Sequence, residues 1–174
     1  MVEPLFERTW LEAPDAADAR VPVSSVIWNG PVSLDLRALL NRVYYRYPSF
    51  LLDTIAEHEP GVRLVAMKNV TVGEEFFQGH FPGSPLMPGV LMIEGAAQAA
   101  TFLIKKMMGW SRERLIGLAG LNEVRFRGQV VPPARVYFVS AEGKVSGTRL
   151  ARFPAQAWSN GELIMDMELL GVLL

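Results

Sequence analysis

The chain has 174 residues, half of them hydrophobic and a fifth charged, with a formal net charge of −1 and no cysteine. That length suits one domain with a real core, and a neutral balance argues against a nucleic-acid binder. Lack of cysteine removes disulfides, thiolate nucleophiles and Cys-based metal sites, and two histidines, His58 and His80, are too few for a zinc cluster.

Residues 1–32 read as an N-terminal extension packed on the domain that follows, 33–174. Their acidic residues and prolines stand where a signal peptide needs a basic start and an apolar core, so a cytoplasmic location is expected. Residues 21–28 suit a strand closed by Asn29-Gly30, and Trp10 and Trp28 need cover. Ser33 is placed to cap a helix whose apolar Leu34, Leu36, Leu39, Leu40, Val43 and Tyr47 recur at helical spacing, with Pro48 as its stop. Residues 51–57 and 62–72 are strand-like and flank Glu59-Pro60-Gly61, a hairpin signal that puts His58 at an exposed turn.

A turn-rich segment with Gly79, Pro82, Gly83, Pro85, Pro88 and Gly89 then runs into a proline-free apolar stretch. This predicts a helix over 89–108, roughly 30 Å long at 1.5 Å per residue. It is apolar nearly all round and so expected to be buried; Glu94, Gln98, Thr101 and Lys105 draw one polar line along it. Residues 86–104 are the best transmembrane candidate, but Pro88, Glu94 and Gln98 interrupt them, and a mid-helix carboxylate costs about 2.5–3.5 kcal/mol on insertion scales. No membrane span is expected. Beyond the helix, strands are predicted over 115–126, 135–145, 149–158 and 162–170, with Ser146-Gly147 and Asn160-Gly161 as turns.

A lone carboxylate in such a helix needs a reason beyond stability. His80 lies just upstream, in the loop leading to the helix N-terminus, where the N–H groups of Gly89, Val90 and Leu91 are unsatisfied. Imidazole, carboxylate and free N–H donors suit proton transfer beside a carbonyl that gathers negative charge. Other chemistries find no residues: there is no phosphate-binding glycine loop, and Ser84 lacks a nucleophile elbow. No cofactor and no metal are expected.

His80-Phe81-Pro82-Gly83, Met87-Pro88-Gly89-Val90-Leu91 and Glu94 with Gln98 resemble the active-site segment of the FabZ-type 3-hydroxyacyl-[acyl-carrier-protein] dehydratases. Arg46-Tyr47-Pro48 with Leu51, Leu52 and Asp53 extends the likeness, as do Lys68-Asn69-Val70-Thr71, Ala119-Gly120, Val124-Arg125-Phe126 and Val130-Val131-Pro132. The resemblance implies an α+β hot-dog fold, one curled antiparallel sheet of about six strands wrapped around the long central helix. It implies a homodimer, or a trimer of dimers, with His80 from one subunit working beside Glu94 of the other. It also implies an acyl carrier protein as partner, for which Lys105, Lys106, Arg112, Arg114, Arg125 and Arg127 offer either a landing patch or mere surface charge.

On that basis His80 and Glu94 are the catalytic candidates, and Gly89, Val90 and Gln98 the substrate-binding ones. Met87, Leu91, Met92 and Met108 are the candidates to line an acyl tunnel, adaptable to several chain lengths. The chain departs from the family pattern at Tyr45 and Ser84, where members often carry histidine, and in 115–117, which lacks a tunnel-gating aromatic. Two rivals are an acyl thioesterase, which would use Glu94 without needing His80, and a non-catalytic acyl-carrier partner.

Overall fold

The computed structural model describes residues 34–174 except 60, 61, 110, 112, 142 and 148. The expected N-terminal extension, its strand over 21–28 and the cap at Ser33 lie outside the described residues.

Seven antiparallel strands form one sheet: β1 (Thr54–Glu59), β2 (Arg63–Val70), β3 (Ile116–Phe126), β4 (Ala134–Ala141), β5 (Lys144–Ser146), β6 (Leu150–Ser159) and β7 (Glu162–Leu173). Their order is β1-β2-β4-β6-β7-β3, with short β5 added on β6, so the sheet is open and β1 and β3 are its edges. Asn160 and Gly161 both take positive φ, 52° and 78°, which is what a two-residue turn needs to join right-twisted β6 and β7. The run expected as one strand over 135–145 divides into β4, which pairs with both β2 and β6, and the three-residue β5, which among the described residues pairs with β6 alone.

Helix α1 (Leu36–Leu40) is a single turn, shorter than its periodicity predicts. Its N-cap is Asp35, whose carboxylate accepts from the Ala38 N–H at 2.8 Å. Leu34 instead bridges to Ile55 as a strand residue. Leu39 and Val43 are buried as the pattern requires, but Tyr44 and Tyr47 face outward and Tyr45 turns inward, so packing of the tyrosines overrides the helical spacing.

Helix α2 (Gly89–Met107) begins after Pro88 and ends at Gly109, whose φ of +61° takes the left-handed conformation that glycine tolerates. It packs on one face of the sheet and touches β2, β3, β4, β6 and β7. Small residues allow the close approach: a side chain on Gly95 would overlap the fully buried Phe138 ring of β4. Most of the core forms between this helix and the sheet, with Leu103, Ala99, Leu64, Phe138, Phe153 and Met165 all fully buried.

His58 is not at an exposed turn. Strand β1 continues to Glu59, and the ring stands edge-on to Phe102 of α2, centroids 5.9 Å apart, with its Nε2 buried and without a partner among the described residues. Burial, and then the nearby Lys106 and Arg42 charges, hold this imidazole below its ordinary range.

Candidate active site

His80 is set in a loop that closes on itself. The Leu86 N–H donates to the His80 carbonyl at 3.0 Å, and Phe81 and Ser84 exchange backbone bonds of 3.2 and 2.9 Å around Gly83, whose φ is +76°. The ring adds a further clasp, with Nδ1 2.7 Å from the Leu86 carbonyl oxygen. A carbonyl can only accept, so Nδ1 carries the proton, and in the neutral ring Nε2 keeps the lone pair of a base. Phe81 stacks on the imidazole at 4.0 Å between centroids. Three residues past Leu86, α2 starts. The N–H groups of Gly89 and Val90 have no acceptor among the described residues, and Val90 is 68% exposed. The Phe126 ring lies against the α-carbon of Gly89 and covers one side of this helix end.

Glu94 lies one and a half turns into α2. Its carboxylate accepts from Gln98 Nε2 at 2.8 Å. Gln98 is itself 1% exposed and fully engaged: Nε2 also donates to the Ser49 carbonyl at 2.7 Å, and Oε1 accepts from the Leu51 N–H at 2.9 Å. The segment after α1 is thereby tied to the helix, and the tie fixes one oxygen of Glu94. Gln98, expected as a substrate contact, sits behind the acid.

The other side of Glu94 faces a cavity of about 170 Å³ between α2 and strands β3, β6 and β7. Glu94, Ala97, Thr101 and Ile104 give it the helix wall; Ile116, Leu118, Phe153 and Leu169 give most of the sheet wall, and Tyr45 closes a side. Phe153 belongs to the buried core, whereas Leu118 is half exposed on edge strand β3. Burial pushes the Tyr45 phenol up, hydrogen bonding with Thr101 works against this, and the Glu94 carboxylate adds to the rise.

Several expectations change place. Met87, Leu91, Met92 and Met108 do not line this cavity; Met87 and Met92 are buried in the core and the other two pack against it. Adaptable side chains there fill core space, while the helix wall of the cavity is made by Glu94, Ala97, Ala100, Thr101 and Ile104. Tyr45 stood out in the sequence only as a departure from the family pattern and not as a cavity residue, and no pattern pointed to Gly171 and Leu169 on β7. Among the basic residues, Lys105 is buried with its Nζ 3.5 Å from the Ser111 carbonyl, and burial lowers its pKa while Glu113 opposes the shift. Arg127 is bound to Asp166 at 2.5 and 3.2 Å, and Arg125 lies 4.0 Å from the same carboxylate. Arg112 lies outside the described residues.

No hydrogen bond joins His80 to Glu94 among the described residues, and His80 does not line the cavity that Glu94 faces. One chain therefore keeps the two candidates apart, His80 at the entrance to α2 and Glu94 at the cavity wall.

Sheet and helix together are those of the hot-dog-like folds. The dehydratase heterocomplex ApeI:P from Xenorhabdus doucetiae superposes with a TM-score of 0.65 at 14% identity, covering 78% of this chain and 90% of that one. A mutant thioesterase from Pseudomonas aeruginosa superposes with a TM-score of 0.52 at 14% identity, covering 69% and 81%.

A sequence model described as FabA-like domain matches residues 46–168, and the chain belongs to that family. Among curated relatives, the 3-hydroxyacyl-[acyl-carrier-protein] dehydratase FabZ of Desulforamulus reducens is 42% identical over 137 residues, 79% of this chain and 95% of that protein. The same-named protein of Chromobacterium violaceum is 39% identical over 140 residues, 80% and 93% of the two chains.

Proposed function

We propose that this protein removes water from a 3-hydroxyacyl thioester borne by an acyl carrier protein, giving the trans-2-enoyl thioester in fatty-acid or related acyl-chain biosynthesis. The observation that carries this is Glu94, an acid aligned by a buried amide at the wall of a largely apolar cavity. His80 Nε2 takes the proton from C2, and the thioester oxygen, as it gathers charge, rests on the N–H groups of Gly89 and Val90. The C2–H electrons form the double bond as the C3–O bond breaks, and Glu94 gives its proton to the departing hydroxyl, so that water leaves. Loss of one such N–H donor typically costs about 10²–10³ in rate. Neither a metal nor a cofactor is needed for these steps.

The reading includes a homodimer, or a trimer of such dimers, in which His80 of one subunit faces Glu94 of the other. It is supported by the separation of the two candidates and by edge strand β3. That strand is eleven residues long, bonded only to β7 among the described residues, and exposes Leu118 and Phe126. A long apolar edge invites a partner. A curl of the sheet about α2 fits the contact of the helix with five strands. The catalytic domain is taken as 33–174 with 1–32 as an extension, in keeping with the family match over 46–168. No helix among the described residues is long and apolar enough to cross a membrane, and a cytoplasmic setting, where carrier and substrate would be met, is part of the proposal.

Mixing the protein with a 3-hydroxyacyl thioester tests the activity. Reversible growth of the ultraviolet absorbance of an enoyl thioester is expected. Release of free thiol would instead mean a thioesterase, the activity of one structural neighbour, and no change would leave an acyl-carrier binding protein.

A further inference from the structure

Beside Glu94 the cavity carries two hydroxyl groups that the dehydration chemistry does not use. The helix wall runs Glu94, Ala97, Thr101, Ile104, spacings of three, four and three that keep them on one face. Thr101 therefore lies about 10 Å beyond Glu94 along the axis, at 1.5 Å per residue. Ala97 between them is too small to fill the gap. An acyl chain whose C3 oxygen meets Glu94 would pass over Ala97 and bring its far carbons to Thr101 and Tyr45. In volume, about 170 Å³ is a short allowance. A cavity of about 150 Å³ holds one benzene, so the space suits about six carbons or one ring.

Tyr45 and Thr101 both line this cavity, and among the described residues their hydroxyls have at most one hydrogen bond, the one between them. Two hydroxyls have two protons to donate, and one bond between them spends only one. The other O–H remains on the cavity wall. A plain alkyl chain would bury it against hydrocarbon, which is unfavourable, whereas an oxygen on the chain would accept it. Tyr45 is held for this purpose by the Phe50 ring stacked at 6.5 Å.

We infer that Tyr45 and Thr101 are specificity residues that fit the cavity to short acyl groups bearing an oxygen function several carbons beyond C3, in preference to plain alkyl chains of equal length. This rests on the cavity being the acyl site of the proposed dehydratase. The test compares 3-hydroxyoctanoyl pantetheine with its counterpart carrying a terminal hydroxyl, by the kcat/KM of enoyl formation. Wild type is expected to favour the hydroxylated chain by about tenfold or more, and Tyr45→Phe and Thr101→Val are each expected to reduce that ratio by about tenfold. A wild-type ratio near one overturns the inference, as does a ratio that neither variant moves, even if both chains slow alike. Should neither chain be dehydrated, the dehydratase proposal itself fails. Calorimetric affinities of octanoyl and terminally hydroxylated octanoyl pantetheine for the wild type and the two variants then decide the pocket by the same ratios.

Discussion

Replacing Gln98 by methionine separates a residue that positions Glu94 from one that binds substrate. Methionine keeps nearly the same length and fills nearly the same space, so the change is mainly the loss of the amide. Two backbone groups lose their partner, the Ser49 carbonyl and the Leu51 N–H, and Glu94 loses its one side-chain hydrogen bond among the described residues. Gln98 is 1% exposed, but Ser49 is exposed and Leu51 half-buried, so water can partly take over their bonds. Each lost bond then costs about 0.5–1.5 kcal/mol, and a total of about 1–3 kcal/mol is expected. In a chain of this size that lowers Tm by roughly 5 °C, a sizeable share of a typical total stability of about 5–15 kcal/mol. The freed carboxylate should also lower kcat by about 10–10² with KM little changed, since small misplacements of a catalytic group have that effect. Calorimetric melting and steady-state enoyl formation measure both. A variant that melts within about 2 °C of wild type but shows a raised KM with kcat retained would refute the reasoning and make Gln98 a substrate contact.

Glu94→Gln should nearly abolish turnover while melting at or above the wild-type temperature, because a carboxylate set in an apolar helix contributes no stability that glutamine would lack; full activity would remove Glu94 from the chemistry. Co-expressing His80→Ala with Glu94→Gln chains should restore about a quarter of wild-type activity, since half the dimers are mixed and each carries one intact site across the two-fold; no recovery, with mixed dimers confirmed by mass, would place both residues in one chain's site. The His58 imidazole, depressed by burial, holds its proton less tightly folded than unfolded; its contribution is complete above about pH 6.5 and is lost as pH falls toward its lower folded value. Urea midpoints between pH 7 and 5 should therefore fall less steeply in His58→Phe than in wild type, and equal slopes would discount this histidine. Gly171→Val should cut kcat/KM about tenfold on the longest accepted chain relative to the shortest, because a β-carbon there meets Ile116 at 3.3 Å and Ile104 at 3.5 Å at the cavity wall; a uniform change across lengths would place the chain end elsewhere.

What could be read from sequence follows from how local its cause is. Helix α2 was legible to within a residue at each end because Pro88, Gly89 and Gly109 are chemical stops that no tertiary contact overrides. The Asn160-Gly161 turn was legible for the same reason. Helix α1 was not, because its spacing matched a helix while its fate was decided by where Tyr45 and Leu34 find partners, on Thr101 and Ile55. His58 was misplaced because a Glu-Pro-Gly turn locates a bend but says nothing of the Phe102 ring that shields the strand before it.

The candidate site divides along the same line. Its residue types are readable, since an acid on an apolar helix and a histidine before a helix start are anomalies against a uniform background. The burial of Gln98 and the cavity face of α2 are not, because the first depends on the distant Ser49–Leu51 segment and the second on strands that come later in the chain. A polar line of Glu94, Gln98, Thr101 and Lys105 was visible as a pattern, yet the fold sends its members to three tasks. Glu94 and Thr101 face the cavity, Gln98 ties down the Ser49–Leu51 backbone, and Lys105 reaches the connection toward β3. Spacing places side chains on a face, but what stands opposite that face decides their chemistry. Tyr45 shows the consequence: it reads as a departure from the family's residue until Thr101 and Glu94 are seen on the same cavity wall, and only then does it become a candidate for choosing the substrate.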